Sequence, residues 1–360
     1  MPAVLQNTKF LWPDEPAIKL GPYGPFPDAP LLRALERRWL HYALLSLDNE
    51  FGLVANIALL GPPPDQPHLG TRYTSILLLY RNGEGWYSTQ FNAETLAPFW
   101  SAFRQPHLFK TRAPFAIKGA SKQVSVDLML ERTSRPCTSQ CVAFADNQHL
   151  RWQSETGVRA RGNWQYRDQV YRGVEAIGYH ERVRGYWGWP ELGGWVFGFA
   201  NDPAPVKEKN GETAPPVAVV FTLIQPLYPK DASTASVMLW RRGRLLRHFP
   251  RRRVSVAVRG ELDRDCIQQV PALSNLLGVP PMATIPRRLL ISAEMGKDWV
   301  VLDFLCQQAA RVVIFSETSL RPFSVHEVIG PVHVEGQVSG ENFSFKTNGI
   351  VEFAGGANGD

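Results

Sequence analysis

The chain has 360 residues, 44% of them hydrophobic, and 39 Lys and Arg against 33 Asp and Glu give a net charge of +6. That length and apolar share supply a large core and fit two domains better than one, and so small a positive surplus argues against nucleic acid as a partner. The N-terminus has no basic stretch leading into an apolar one and no run of eighteen uncharged apolar residues occurs, so the expectation is a cytoplasmic protein with no stable membrane insertion.

In chain order, helix signals come first. Asp28 as N-cap, Pro30 in the first turn, and Leu31, Leu35 and Trp39 at four-residue spacing predict a helix over 28–39. Short β-branched and aromatic stretches then predict strands at 52–60, 73–80, 85–91 and 123–130, separated by turns such as Gly61-Pro-Pro-Pro64 and Asn82-Gly83. A helix is expected over 94–103. Strands follow at 194–201 and 217–223, with 202–216 as a surface loop between them. The arginine-rich run 241–253 lies between strand-like 236–240 and 254–258, which predicts a solvated hairpin or long turn. A third helix is expected over 262–277, then strands at 289–293, 299–305, 311–315, 332–338, 343–347 and 349–354, with Asn348-Gly349 as a turn between the last two. So many strands and so few helices predict a mainly β protein built of antiparallel barrels or sandwiches.

Motifs exclude several chemistries. The chain has no Gly-x-Gly-x-x-Gly opening a helix, no Gly-x-x-x-x-Gly-Lys-Ser/Thr and no Gly-x-Ser-x-Gly. Four scattered cysteines make no disulfide framework, and Cys137-x-x-x-Cys141 lacks a second Cys/His pair at zinc spacing. The expectation is therefore no cofactor and no metal. What remains is chemistry done by shape, aromatic walls and general acids or bases on a hydrophobic small molecule.

The segment 179–201 concentrates those residue types near the middle of the chain. If 178–184 is a strand, Tyr179, Glu181 and Val183 share one face, and His180, Arg182 and Arg184 the other. An inward Glu181 beside Tyr179 would be desolvated, which raises a carboxyl pKa and makes a proton donor at neutral pH. On the next strand Trp195, Phe197, Phe199 and Asn201 share a face, and with Trp187 and Trp189 they offer walls for an apolar substrate or a developing cation.

These residues also carry a resemblance. Tyr179-His-Glu181-Arg-Val-Arg-Gly185, then Trp189-Pro190, then Trp195-Val-Phe-Gly-Phe-Ala-Asn201 resembles the midpoint motif of the tocopherol cyclase-like proteins. That group includes hydroxyneurosporene synthase (carotenoid 1,2-hydratase), the AttH-like proteins and lipocalin-like Diels–Alderases. Near the C-terminus, Gly349-Ile-Val-Glu352-Phe-Ala-Gly355 is similar to the group's closing strands. Val183 and Arg184 stand where the cyclases have Asn-Trp, so the tocopherol substrate is not carried over. The resemblance implies two lipocalin-like barrels packed side by side, divided here at 1–188 and 189–360. It also implies a cofactor-independent cyclase of a polyene, polyketide or terpenoid intermediate in natural-product biosynthesis. Glu181 and Tyr179 would be catalytic, and Trp187, Trp189, Trp195, Phe197, Arg182, Arg184 and Asn201 would contact substrate. Intramolecular [4+2] closure stands slightly ahead of protonation-driven cyclisation or hydration, and a non-catalytic carrier of an apolar ligand stays open.

Overall fold

The computed structural model describes residues 35–61, 71–95, 109–112, 116–120, 124–143, 149–187, 192–204, 206–207, 213–214, 217–226, 234–270, 284–315 and 322–356. Ten strands make the first sheet: β1 (Leu35–Ser46), β2 (Phe51–Leu60), β3 (Thr71–Arg81), β4 (Gly85–Thr95), β5 (Phe109–Arg112), β6 (Ala116–Ala120), β7 (Val124–Glu131), β8 (Cys137–Ala143), β9 (His149–Tyr166) and β10 (Gln169–Trp187). Their order is β4-β3-β2-β1-β10-β9-β7-β6-β5, with β8 also on β9.

The remaining strands begin with β11 (Leu192–Asn201), followed by a small ribbon of β12 (Val206–Lys207) and β13 (Thr213–Ala214). Then come β14 (Val217–Pro226), β15 (Thr234–Arg241), β16 (Arg244–Pro250), β17 (Val254–Glu261), β18 (Ile267–Gln269) and β19 (Pro286–Met295). The chain closes with β20 (Asp298–Leu305), β21 (Gln308–Phe315), β22 (Pro322–Val338) and β23 (Glu341–Gly356). The second sheet runs β16-β15-β14-β11-β23-β22-β20-β19-β17, with β21 on β22 and β18 parallel to β21.

The two orders superimpose place for place: β1 corresponds to β11, β10 to β23, β9 to β22 and β8 to β21. Each sheet curls, bringing β3 and β4 back to β5 and β7, and β15 and β16 back to β17 and β19. The result is two lipocalin-like antiparallel barrels side by side.

Strand alternation partitions the core. On β1, Leu40, Tyr42 and Leu44 point into the first barrel, while Trp39, Ala43 and Leu45 join a cluster that includes Trp195, Phe197 and Phe199 of β11. That shared cluster is the seam between the barrels. A bulge sharpens it. Gly157, at φ 68°, is skipped where Gly178 pairs with Val158 and Tyr179 with Thr156. The skip reverses the facing of β9, so Val158 and Ala160 lie in the barrel core while Trp152 lies in the seam.

The predicted helices do not form where they can be checked. Residues 35–39 belong to β1, 94–95 end β4, and 262–270 hold only a short 3-10 turn at Arg264–Cys266 and β18; the rest of the three segments lies outside the described residues. The arginine run is a hairpin with a tight Arg242-Gly243 turn, both at positive φ, and a 3-10 turn at Arg251–Arg253. Arg247 of that run pairs with Asp298 at 2.7 Å. The strands predicted at 343–347 and 349–354 are one, β23. No helix among the described residues is long and apolar enough to cross a membrane.

Candidate active site in the seam between the barrels

Register places Glu181 of β10 opposite His41 of β1 on one side and Ser154 of β9 on the other. Cross-strand partners share a face, so the carboxyl enters the seam. Three donors hold it: Trp39 Nε1 donates to Oε1 at 2.9 Å, while Trp152 Nε1 and the Tyr179 hydroxyl donate to Oε2 at 2.6 and 2.8 Å. Behind Tyr179 the chain continues to Ser154 Oγ at 2.7 Å, to Ser139 Oγ at 3.0 Å and to the Trp152 carbonyl at 3.3 Å.

Burial pushes the Glu181 carboxyl up to about 8, and the Glu352 carboxylate adds to the rise, although the three donors pull the other way. Desolvation wins because Glu181 lies wholly inside the protein. Burial, and after it the charge of Glu181, hold the Tyr179 phenol well above its usual range, so it keeps its proton.

The second barrel repeats the unit. Glu352 of β23 stands opposite Phe197 of β11 and Glu327 of β22, and Trp195 Nε1 donates to its Oε1. Glu352 therefore corresponds to Glu181, Trp195 to Trp39, Phe197 to His41 and Glu327 to Ser154. Trp39 and Trp195 stack across the seam at 5.9 Å and 29°, where the relation between the two halves places them face to face. Tyr179 lies 4.6 Å from Phe197, and Trp152 5.8 Å from it.

His41 is fully buried at the same level, edge-on to Phe197 at 5.5 Å. Neither of its ring nitrogens has a hydrogen-bond partner among the described residues, and burial lowers its pKa to about 3, so it is neutral. One atom each of His41, Glu327 and Glu352 lie within 4.8 Å of one another. That spacing suits a metal ion, and it arises from three strands, where a search for local ligand spacing finds nothing. Glu327 hydrogen-bonds Glu352 and burial raises both, while Glu327 Oε2 has no hydrogen-bond partner among the described residues. A carboxyl pair sharing a proton carries one charge, not two.

Of the residues expected to form the site, Glu181, Tyr179, Trp187, Trp195 and Phe197 come together in the seam. Trp187 packs edge-on against Trp39 at 5.5 Å. Asn201 lies at one end, accepting from Thr156 Oγ1 at 2.7 Å and donating to the Gly178 carbonyl at 3.3 Å. Trp189 lies outside the described residues. Arg182 and Arg184 occupy the opposite face of β10, inside the first barrel, as the alternation requires. The sequence reading missed Trp39, His41, Trp152 and Glu327. Glu352 was visible in the C-terminal motif, but not its place beside Glu181.

No protein-family model matches the chain, and no curated protein does. Solved structures do. An AttH-like protein from Nitrosomonas europaea is 14% identical over 92% of this chain and 98% of its own, with a TM-score of 0.54. Kievitone hydratase from Nectria haematococca is 10% identical over 88% of each chain, and CghA with Sch210972 is 10% identical over 91% and 90%, both at TM-score 0.50. At these identities the likeness is one of fold alone: two lipocalin-like antiparallel barrels in tandem.

Proposed function

We propose that this chain is a cofactor-independent cyclase of a hydrophobic unsaturated substrate, with Glu181 as the acid that starts ring closure. The observation that carries this reading is the Glu181 carboxyl itself, buried in the seam and bonded by the indoles of Trp39 and Trp152, where burial pushes its pKa up to about 8. Keeping it there costs about 3 kcal/mol of folding stability at that pH. A carrier of an apolar ligand needs the aromatic walls but gains nothing from a cluster of Glu181, Glu327 and Glu352. Replacing such a cluster by apolar side chains would stabilise a carrier.

The chemistry balances without a co-reactant. The Glu181 proton adds to a substrate double bond, leaving a cation on the neighbouring carbon. A second double bond attacks that carbon and closes the ring. Loss of a proton from the adjacent carbon restores an alkene, and the Glu181 carboxylate regains its proton. Trp39, Trp152, Trp195, Phe197 and Tyr179 present π faces and edges to the cation, each contact worth about 0.5–2 kcal/mol. The proton lost from carbon returns to Glu181 directly or by way of the orphaned imidazole of His41, which stands opposite it on the neighbouring strand. Tyr179 links the Glu181 carboxyl through Ser154 to Ser139. A positioned acid contributes about 10²–10⁴-fold, and holding the reacting carbons together up to roughly 7–11 kcal/mol.

A concerted [4+2] closure would use the walls and only a hydrogen bond from the acid. The two are separated by running the reaction in D₂O with a polyene or terpenoid substrate. Acid-initiated closure puts one solvent deuterium on carbon in the cyclised product, and Glu181→Gln lowers turnover by about 10²-fold or more with little change in affinity. Product free of deuterium, with Glu181→Gln nearly as fast as the wild type, would refute the acid role. Binding without conversion, lost in Trp195→Ala, would establish a carrier.

A further inference from the structure

Three strands bring another set of side chains to one level of the seam. His41 of β1 comes from the first barrel, and Glu327 of β22 and Glu352 of β23 from the second, where the two carboxyls stand directly opposite each other. They are 0%, 3% and 6% exposed, and one donor atom of each lies within 4.8 Å of the other two. Trp195 donates to Glu352 Oε1, and Glu352 and Glu327 share a hydrogen bond. Three atoms are left over: both ring nitrogens of His41 and Oε2 of Glu327 have no hydrogen-bond partner among the described residues.

Left bare, each of those atoms carries the desolvation penalty of a buried polar group, and two acids abreast on neighbouring strands repel once both ionise. The fold does not ask for this. At the corresponding places of the other half stand Phe197 for His41 and Ser154 for Glu327, on the same strand order. A single ion meets most of the penalties, because it takes one nitrogen of His41 and Oε2 of Glu327 as ligands. Two carboxylates cancel the charge of a dication, so the buried site is neutral as a whole. Imidazole nitrogen and carboxylate oxygen bind such an ion at about 2.0–2.2 Å, so donors on one ion stand up to roughly 4 Å apart, and side-chain rotation closes the remaining gap. Trp195 then holds Glu352 from behind, as an outer partner fixes a ligand.

We infer that His41, Glu327 and Glu352 form a binding site for a divalent first-row transition ion, with the imidazole and the two carboxylates as its ligands and the ion bridging the two barrels. One nitrogen and two oxygen donors suit zinc, manganese, iron or cobalt and disfavour magnesium and calcium, which take oxygen ligands. The ion replaces the proton shared by the two carboxyls, and that proton leaves to solvent. None of the three ligands is the acid of the proposed reaction, so the site stands or falls apart from the cyclase reading.

The test is isothermal titration of the whole protein, first dialysed against a chelator, with Zn²⁺, Mn²⁺ and Co²⁺, and with Mg²⁺ as the control. At least one transition ion binds at a single site about tenfold or more tightly than Mg²⁺ and raises Tm as its concentration rises. His41→Leu and Glu327→Gln each weaken that binding by at least the roughly 10–100-fold that loss of an outer partner costs, while Glu181→Gln leaves it nearly unchanged. His41→Leu removes two unmatched buried nitrogens, so without metal its Tm is no lower than that of the wild type, and its loss of binding is not a loss of fold. A second readout needs no variant: the Co²⁺-loaded wild type shows visible ligand-field bands without the charge-transfer band that a thiolate of Cys137, Cys141, Cys266 or Cys306 would add. No binding of the three transition ions, equal binding of Mg²⁺, a thiolate band, or unchanged affinity in both His41→Leu and Glu327→Gln overturns the assignment. Loss of binding in Glu181→Gln alone would overturn it too, by moving the ion to that carboxyl.

Discussion

Replacing Glu181 by Gln should make the protein less stable in acid and more stable in base, and both arms follow from the geometry. In the wild type the carboxyl titrates at about 8 when folded, against an ordinary 4.5. Below pH 4.5 both states are protonated and nothing is lost. Between 4.5 and about 8 the unfolded chain releases a proton that the folded chain keeps, so stability falls by roughly 1.4 kcal/mol per pH unit. Above the folded value the loss levels off at about 5 kcal/mol. Gln has no proton to release and escapes this slope. It has its own cost, because its NH₂ carries two protons where the neutral carboxyl carries one, and the indoles of Trp39 and Trp152 can only donate. With its oxygen placed to accept from Trp152 and Tyr179, its NH₂ group faces the Trp39 N–H. One unmatched buried donor pair costs about 1–3 kcal/mol at every pH. The two curves therefore cross between about pH 5 and pH 7. Urea denaturation of wild type and variant at steps from pH 4.5 to 8.5 gives the difference directly, since the other buried acids, Glu155, Glu327 and Glu352, contribute to both curves. Parallel curves, with the variant displaced by a constant amount, would mean that Glu181 is ionised when folded, and the reasoning would fail.

Other outcomes follow from the same contacts. Trp152→Phe removes the shortest donor to Glu181, leaving the ionised form less favoured, so the pKa of Glu181 rises further and the pH at which turnover declines moves upward. A downward move would contradict the assignment. Gly178→Ala should cost about 3 kcal/mol or more, because the added methyl would overlap the Ala43 carbonyl oxygen on the neighbouring strand. Gly349→Ala, where the nearest atom is the Phe199 oxygen at 2.8 Å, should cost less; urea midpoints of the two variants check the order. Arg251→Gln with Arg253→Gln, both exposed in the 3-10 turn, should change stability by no more than about 0.5 kcal/mol, and a larger loss in the same denaturation experiment would show that the turn is structural.

The strand content and the facing of β10 were legible because a strand has period two, and counting from Glu181 separates Tyr179 and Val183 from Arg182 and Arg184. The same periodicity misleads at the start of β1. Leu31, Leu35 and Trp39 are four apart, a spacing that lies on one face of a helix and equally on one face of a strand, and an N-cap residue tipped the reading toward helix. Asn348-Gly349 reads as a turn, yet Gly349 pairs with Gly330 inside a continuous strand. The glycine is there for the close approach of Phe199, not for a reversal. Half of the candidate site was illegible for a different reason. His41 and Glu181 are 140 residues apart in the chain, as register alone brings them together, and Glu327 meets the seam only through its pairing with Glu352. The duplication was likewise hidden, because the two halves share strand order and the Trp–Glu unit while Tyr179, Trp152 and Ser154 are matched by Ile350, Val325 and Glu327.

The protonation state of Glu181 at neutral pH is measured most directly by infrared difference spectroscopy of wild type against Glu181→Gln through a pH titration. A protonated-carboxyl C=O band belonging to Glu181 is expected at pH 7, giving way to carboxylate near pH 8. A carboxylate band already complete at pH 6, with no protonated band assignable to Glu181, would contradict that expectation.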